Sequence, residues 1–350
     1  MKKHATYVTC LLLTLPAAWT MAIAQTPNVS TVVKMDAALD EIVTPDSRLE
    51  LLVKDGFEGG EGPVWVQKGE TGHLLFTGAG SRVYEWTPDC FTYPCAPTGT
   101  LTVFLEHSGQ RDASPSAAAA AGANGLALDR ERRLLLAAGG DRAILRLEED
   151  GTRTTVADRY EGKRIGCPND LAVKSDGGVY FTDGSRNCLP GGEPDADLPF
   201  HGVYFARNGT VQLLDQDPGG YPPNGIALSP NENILYVTNG GPMPERRKIF
   251  AYDVHADGTV SNRRLFLDLT GEQGLGGPDG VKVDSRGNVY SAATGGVWIA
   301  SPAGTRLGKI TAPEGVRFAN LAFGDSDRRT LYLVGPGALW RIRLNVPGSQ

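Results

Sequence analysis

The chain has 350 residues, 41% of them hydrophobic and 21% charged, with a formal charge of −6 at pH 7, enough for one large domain or two. An acidic chain is repelled by phosphate backbones and anionic lipid surfaces, so nucleic acid is excluded as a natural partner. Forty-five glycines and short alternating apolar runs broken by Gly, Asp-Gly and Pro indicate strands rather than helices, and hence an all-β fold.

At the start, Lys2 and Lys3 precede an apolar run from Tyr7 to Met21 and the small-residue triplet Ala22-Ile23-Ala24, the pattern of a secretory signal peptide over residues 1–24. The run contains Pro16 and is shorter than the ~20 residues a membrane-spanning helix needs, which argues against an anchor. No cysteine follows the cleavage site, which argues against a lipoprotein. The mature protein is expected to begin at Gln25, to carry a charge of −8 once Lys2 and Lys3 are gone, to be periplasmic or secreted, and to have no membrane partner after cleavage. Residues 25–45 read as a polar leader without assigned function, and residues 46–345 as a single domain.

Cys10 leaves with the signal peptide, so four cysteines remain in an oxidising compartment. Of their three possible pairings, Cys90–Cys95 with Cys167–Cys188 is expected, because each bridge closes one local loop. A zinc site is disfavoured: neither pair has the spacing of a metal knuckle, and no histidine lies close by.

One phrase recurs along the chain: a small or polar residue, then Asn or Asp, then Gly or Asp, then an alternating apolar strand. It is seen at Ala123-Asn124-Gly125-Leu126, Pro168-Asn169-Asp170-Leu171, Pro223-Asn224-Gly225-Ile226 and Pro278-Asp279-Gly280-Val281, with looser copies at Glu61-Gly62-Pro63-Val64 and Ala319-Asn320-Leu321-Ala322. The polar residues are spaced by 63, 45, 55, 55 and 41 residues, against the ~40–50 residues of a four-stranded propeller blade. Six copies predict a six-bladed β-propeller. After Asn320 the chain holds only two further strands, so residues 49–53 are expected to complete the last blade, closing the ring with strands from both ends and leaving no open sheet edge. Residues 114–121 form an Ala-rich loop outside the blades, in which a brief helix is not required.

In a propeller the first strand of each blade lines the central channel, so the tags converge on the axis. Four of them offer Glu61, Asn169, Asn224 and Asp279, all oxygen donors with two formal negative charges. That set suits Ca²⁺, with its six to eight oxygen ligands and tolerant geometry, better than Mg²⁺; another divalent cation remains open. A single Asn-Gly or Asp-Gly pair is more often a turn than a ligand. Recurrence at blade spacing, just ahead of a buried strand where packing alone does not demand polar residues, is what points to a shared metal site.

Glu61-Gly62-Pro63-Val64-Trp65, Cys167-Pro168-Asn169-Asp170-Leu171, Pro222-Pro223-Asn224-Gly225-Ile226 and Pro278-Asp279-Gly280-Val281-Lys282 together resemble the signatures of the gluconolactonase/regucalcin (senescence marker protein) family, in its bacterial secreted form. The stretches 157–164 and 198–204 add to the likeness, which runs from about Leu51 to Leu344. The resemblance implies a six-bladed propeller with calcium in its channel, held at the positions of Glu61, Asn169, Asn224 and Asp279, and hydrolysis of a small-molecule lactone or ester. A metal-polarised carbonyl and an activated water then make Asp279 the candidate general base, with Asp170 as runner-up and a purely structural ligand role for Asp279 as the rival. Asn124 would hold substrate rather than metal, while Asn320 is expected only to pack.

The sequence departs from the family pattern at Gly78, Gly122, Ala138 and Gly139, where polar or basic residues are customary, so the pocket wall is expected to offer a sugar lactone fewer partners. Arg186, in the loop that Cys167–Cys188 would brace, is the candidate for meeting an anionic substrate. No serine nucleophile elbow, Cys-His pair or phosphate loop is present. Three readings follow: a calcium-dependent lactonase, another metal-dependent ester or organophosphate hydrolase on the same scaffold, and a non-catalytic propeller that keeps the metal for stability. The protein is expected to be a monomer or a weak homo-oligomer.

Overall fold

The computed structural model describes residues 31–111, 121–185, 197–240 and 243–349. The signal peptide, most of the Ala-rich loop, Arg186 and Cys188 lie outside these residues.

The described chain is a six-bladed β-propeller. Blade one is Glu61–Lys68, Thr71–Gly78, Arg82–Pro88 and Gly99–Leu105, and blade two is Ala123–Leu128, Leu134–Ala138, Ala143–Leu147 and Arg153–Ala157. Blade three is Cys167–Val173, Val179–Ser185, Gly202–Arg207 and Thr210–Gln216; blade four is Pro223–Leu228, Ile234–Asn239, Lys248–Val254 and Val260–Asp268. Each is an antiparallel meander whose first strand begins at a tag. Blade six, Asn320–Gly324, Thr330–Gly335 and Ala338–Arg343, takes its outer strand from Glu50–Lys54, with Glu50 opposite Arg341 and Leu51 opposite Trp340. The two ends of the chain close the ring as the strand count requires.

Blade five departs from the four-strand rule. Behind Val281–Val283, Val289–Ala293, Gly296–Ala300 and Arg306–Thr311 it carries a fifth strand, Val32–Lys34, with Val32 opposite Ile310. A short 3-10 helix, Ala37–Glu41, follows, and Leu39, Ile42 and Val43 are buried between blades five and six. The stretch that reads as a polar leader therefore contributes three core side chains. Its polar composition hid them, because three apolar residues spread over a short helical turn make no strand pattern.

Six hydrophobic clusters fill the ring, one at each blade–blade contact. Between blades six and one, Trp65 stacks on Tyr332 at 5.4 Å with Phe76 and Val334 nearby; between blades three and four lie Tyr180, Phe205, Val237 and Tyr252. Blade faces are covered on both sides, so middle strands such as Leu134–Ala138 and Thr330–Gly335 are buried along their whole length rather than at alternate residues. Cys90 and Cys95 are disulfide-bonded as expected. Cys167 is also disulfide-bonded, while its expected partner Cys188 is not among the described residues.

Candidate active site

The six tags stand at the starts of the six inner strands, on one face of the ring. Each is packed against the next. A Cβ on Gly125 would lie 2.7 Å from the Cα and Oδ1 of Asp170, and one on Gly225 would collide with the carbonyl oxygen of Asp279. The glycine of the tag is thus demanded by packing, since the neighbouring tag's backbone occupies the place of a side chain. The polar half is not. Glu61, Asn124, Asn169, Asn224 and Asp279 are each half-buried between two fully buried neighbours, so they are the residues of the tags that keep a face on the channel. Asn320, the sixth, is buried.

Buried threonines on the second strands lock this ring. Thr77 Oγ1 donates to the carbonyl of Asn124 at 2.8 Å, Thr238 Oγ1 to that of Asp279 at 2.8 Å, and Thr182 Oγ1 to that of Asn224. Thr182 and Thr238 also accept from the backbone N–H of Asp170 and Gly225 in their own blades, at 3.1 and 2.8 Å. Each of these hydroxyls therefore ties one tag to the next. Further out, Asn239 Nδ2 donates to the carbonyls of Pro218 and Tyr221 at 2.6 and 3.3 Å, and Asp183 Oδ2 accepts from Gly166 N–H at 2.8 Å, fixing the segments that lead into the fourth and third tags. None of these residues stood out in the sequence. Their signal was a recurring Thr-polar pair, Thr182-Asp183 and Thr238-Asn239, at the ends of second strands.

The carboxylates of Glu61, Asp170 and Asp279 act on one another. Glu61 is pushed up to about 7, first by withdrawal from water and then by the negative charge of Asp170, against the hydrogen bond that Asn320 Nδ2 donates to its Oε2 at 3.2 Å. Asp279 is raised well above the usual carboxylate range by burial and by Glu61, with Asn224 donating a hydrogen bond in compensation. Asp170 is fully buried; its Oδ1 accepts from Leu171 N–H at 2.9 Å, whereas its Oδ2 makes no hydrogen bond and has Lys282 Nζ at 3.8 Å. Lys282 occupies the strand position held by Ala127, Ala172 and Ala227 in blades two to four, so one cation projects where the repeat otherwise places a methyl group. On its other side Lys282 lines a cavity of about 580 Å³, shared with Lys174 and Glu232, at the far end of the inner strands. Arg317, on the segment leading into the sixth tag, places Nη1 3.9 Å from Asp279 Oδ2.

Among the described residues, no group of three or more His, Cys, Asp and Glu is arranged to hold a metal. The expected set draws on only two such residues and completes itself with amides. Its chemistry fits a hard cation: two carboxylates destabilised in their charged form by burial and by neighbouring carboxylate charge, two half-buried amides, and beside them a buried Asp170 oxygen without a hydrogen bond. Of the substrate-side residues, Asn124 lies on the ring, whereas Arg186 is outside the described residues. The customary polar positions missing at Gly78 and Gly122 have a steric cause. A Cβ would lie 2.7 Å from Tyr84 Cε2 at the first and 2.8 Å from Ser81 Cα at the second, so the chain is packed too closely there to carry any side chain.

A six-bladed propeller with converging oxygen donors at one mouth defines a class of proteins, and the sequence places the chain within it. Residues 59–335 match the family described as SMP-30/Gluconolactonase/LRE-like region, and the chain belongs to that family. It is 31% identical over 330 residues to a gluconolactonase of Zymomonas mobilis, covering 92% of this chain and 88% of that protein. A pentonolactonase of Haloferax volcanii is 28% identical over 284 residues, covering 79% and 81%. Among solved structures, a gluconolactonase from Xanthomonas campestris superposes with a TM-score of 0.72 at 30% identity, covering 91% of this chain and 96% of that one.

Proposed function

We propose that this protein is a calcium-dependent lactone hydrolase. The observation that carries this reading is the ring of five half-buried tag residues, two of them carboxylates destabilised by burial and by neighbouring negative charge, in a chain whose relatives are named for opening gluconolactone and pentonolactone. Glu61, Asn169, Asn224 and Asp279 would hold the cation, and export through the amino-terminal signal would place the protein where calcium is plentiful. When bound, such a cation polarises an ester carbonyl and stabilises negative charge developing on its oxygen.

In the hydrolysis, a water oxygen bonds to the lactone carbonyl carbon and the ring C–O bond breaks. The departing alkoxide takes up a proton, and the product is a hydroxy acid. The residues of the chain divide this labour. Asp279 is the group that takes the proton from water: its side chain keeps 19% of its surface exposed, and Asn224 and the Thr238-anchored backbone fix its direction. Asp170 is less suited, because it is fully buried with one oxygen engaged by Leu171 and a lysine beside the other. Asn124, half-buried on the same ring, would hold a ring hydroxyl.

The test is a panel of aldonolactones, aryl esters and a fluorophosphate assayed on the mature protein with and without chelator. Lactone turnover that disappears with chelation and returns with calcium is the expected result. Failure of every substrate in excess calcium would leave only the binding propeller, and preference for the ester or fluorophosphate would assign the second hydrolase class.

A further inference from the structure

We propose that Arg317 is a specificity-determining residue that selects lactones carrying a carboxylate substituent, so that the favoured product is a hydroxy-dicarboxylate; this rests on the lactonase reading above. Arg317 sits on the short segment joining blade five to the sixth tag, on the same face as the ring. Its side chain is 45% exposed, and its Nη1 stands 3.9 Å from Asp279 Oδ2, near enough to feel the carboxylate and too far to hydrogen-bond to it.

Charge counting gives the group its role. Glu61, Asp170 and Asp279 are three carboxylates, and Lys282 and Arg317 are two cations, which leaves one negative charge in excess. A divalent cation among the carboxylates turns that excess into one positive charge. The buried carboxylate is already served by Lys282 from below, at 3.8 Å. Asp279 then no longer needs the arginine, and a planar guanidinium at the mouth of a net positive site is suited to bidentate contact with a carboxylate.

Among the described residues, the positions of blades one and two where polar side chains are customary offer little competing recognition. Gly78 and Gly122 admit no side chain, and Ala138 is a buried methyl group. A neutral polyhydroxy ring would meet few partners on the side of blades one and two. An anionic substituent directed towards blade six meets one strong partner.

The experiment compares wild type, Arg317→Gln and Arg317→Lys on two lactones of equal ring size, one neutral and one bearing a carboxylate, in excess calcium. Arg317→Gln is expected to lower kcat/KM for the charged lactone about tenfold relative to that for the neutral one, the scale of a lost charge-assisted contact, over and above any change the two substrates share through Asp279; Arg317→Lys should recover part of the loss. Equal effects on both substrates, or none on either, overturn the proposal. Calorimetric binding of the hydroxy-dicarboxylate to wild type and Arg317→Gln, with calcium and with chelator, decides it independently of turnover. Binding that requires calcium and weakens in the variant supports it, and identical binding by both proteins overturns it. If wild type hydrolyses neither lactone yet the binding difference stands, the lactonase reading fails while the anion site at Arg317 survives.

Discussion

Asn320 Nδ2 donates to Glu61 Oε2 at 3.2 Å across 259 residues of sequence, joining the sixth tag to the first where the ring closes. Asn320 is buried, and its Oδ1 also accepts from Leu321 N–H at 2.8 Å, so the amide is held at one end and aimed with the other. An outer residue that orients a ligand in this way typically governs metal affinity about 10-fold or more. Asn320→Ala is therefore expected to weaken calcium binding by about tenfold, measured by titration calorimetry, and to leave the propeller folded by circular dichroism. Unchanged affinity would return Asn320 to the packing role its sequence suggests.

Thr238 is the clasp between the fourth and fifth tags, with its hydroxyl accepting from Gly225 N–H and donating to the carbonyl of Asp279. Thr238→Val keeps the shape and removes both hydrogen bonds, leaving buried backbone groups unpaired at a cost of about 1–3 kcal/mol each. Urea denaturation should show a loss of about 2–6 kcal/mol, and kcat should fall because the backbone of Asp279 is released. Thr238→Ser should retain both properties. A fully active, fully stable Thr238→Val would show that the ring does not depend on its clasps.

The two candidate bases separate by substitution. Asp279→Asn is expected to abolish measurable turnover while some metal binding persists through Glu61, Asn169 and Asn224. Asp170→Asn removes the charge opposite Lys282, and its main effect should be on stability, with turnover reduced less than in Asp279→Asn. Steady-state kinetics and calcium titration on both variants check this, and the reverse order of kcat values would transfer the base role to Asp170.

Stability of the chelated protein should depend on pH through Glu61. Its carboxyl has a folded value of about 7 against an ordinary 4.5, so its contribution is fully present below the ordinary value and lost as pH rises through the folded one. Asp279, raised by burial and by Glu61, acts in the same direction. In chelator this site should favour the fold at pH 5 and oppose it at pH 8. A cation that binds the charged carboxylates cancels the penalty, so the rise in Tm on adding calcium should be larger at pH 8 than at pH 5 by scanning calorimetry. An equal rise at both values would mean that neither carboxylate binds the metal.

Much of this molecule was legible in its sequence because a propeller repeats. Asn124, Asn169, Asn224 and Asp279 precede apolar strands at blade spacing, and a shortfall of strands after Asn320 demanded one from the other end of the chain; Glu50–Lys54 supplies it. The strand at Val32–Lys34 was not legible, since three residues on a blade's outer edge carry no period that a sequence can display. That Asn320 reaches Glu61 was not legible for a related reason. Its phrase has Leu321 where the other tags have Gly or Asp, and its partner Glu61 is far away in the chain.

The order of residues alone determined that six polar tags would meet on one axis, because equal repeats on a closed ring bring equivalent positions to equivalent radii. It also determined that the set would be oxygen donors of net negative charge. Only the tertiary structure decided which tag residues keep a face on the channel, that the tag glycines answer to the backbone of the next blade, and that Lys282 and Arg317 approach the carboxylates from below and above. Those relations join residues from different blades, and their strength depends on burial and on separations of a few ångströms. Neither quantity is written in the spacing of letters along a chain.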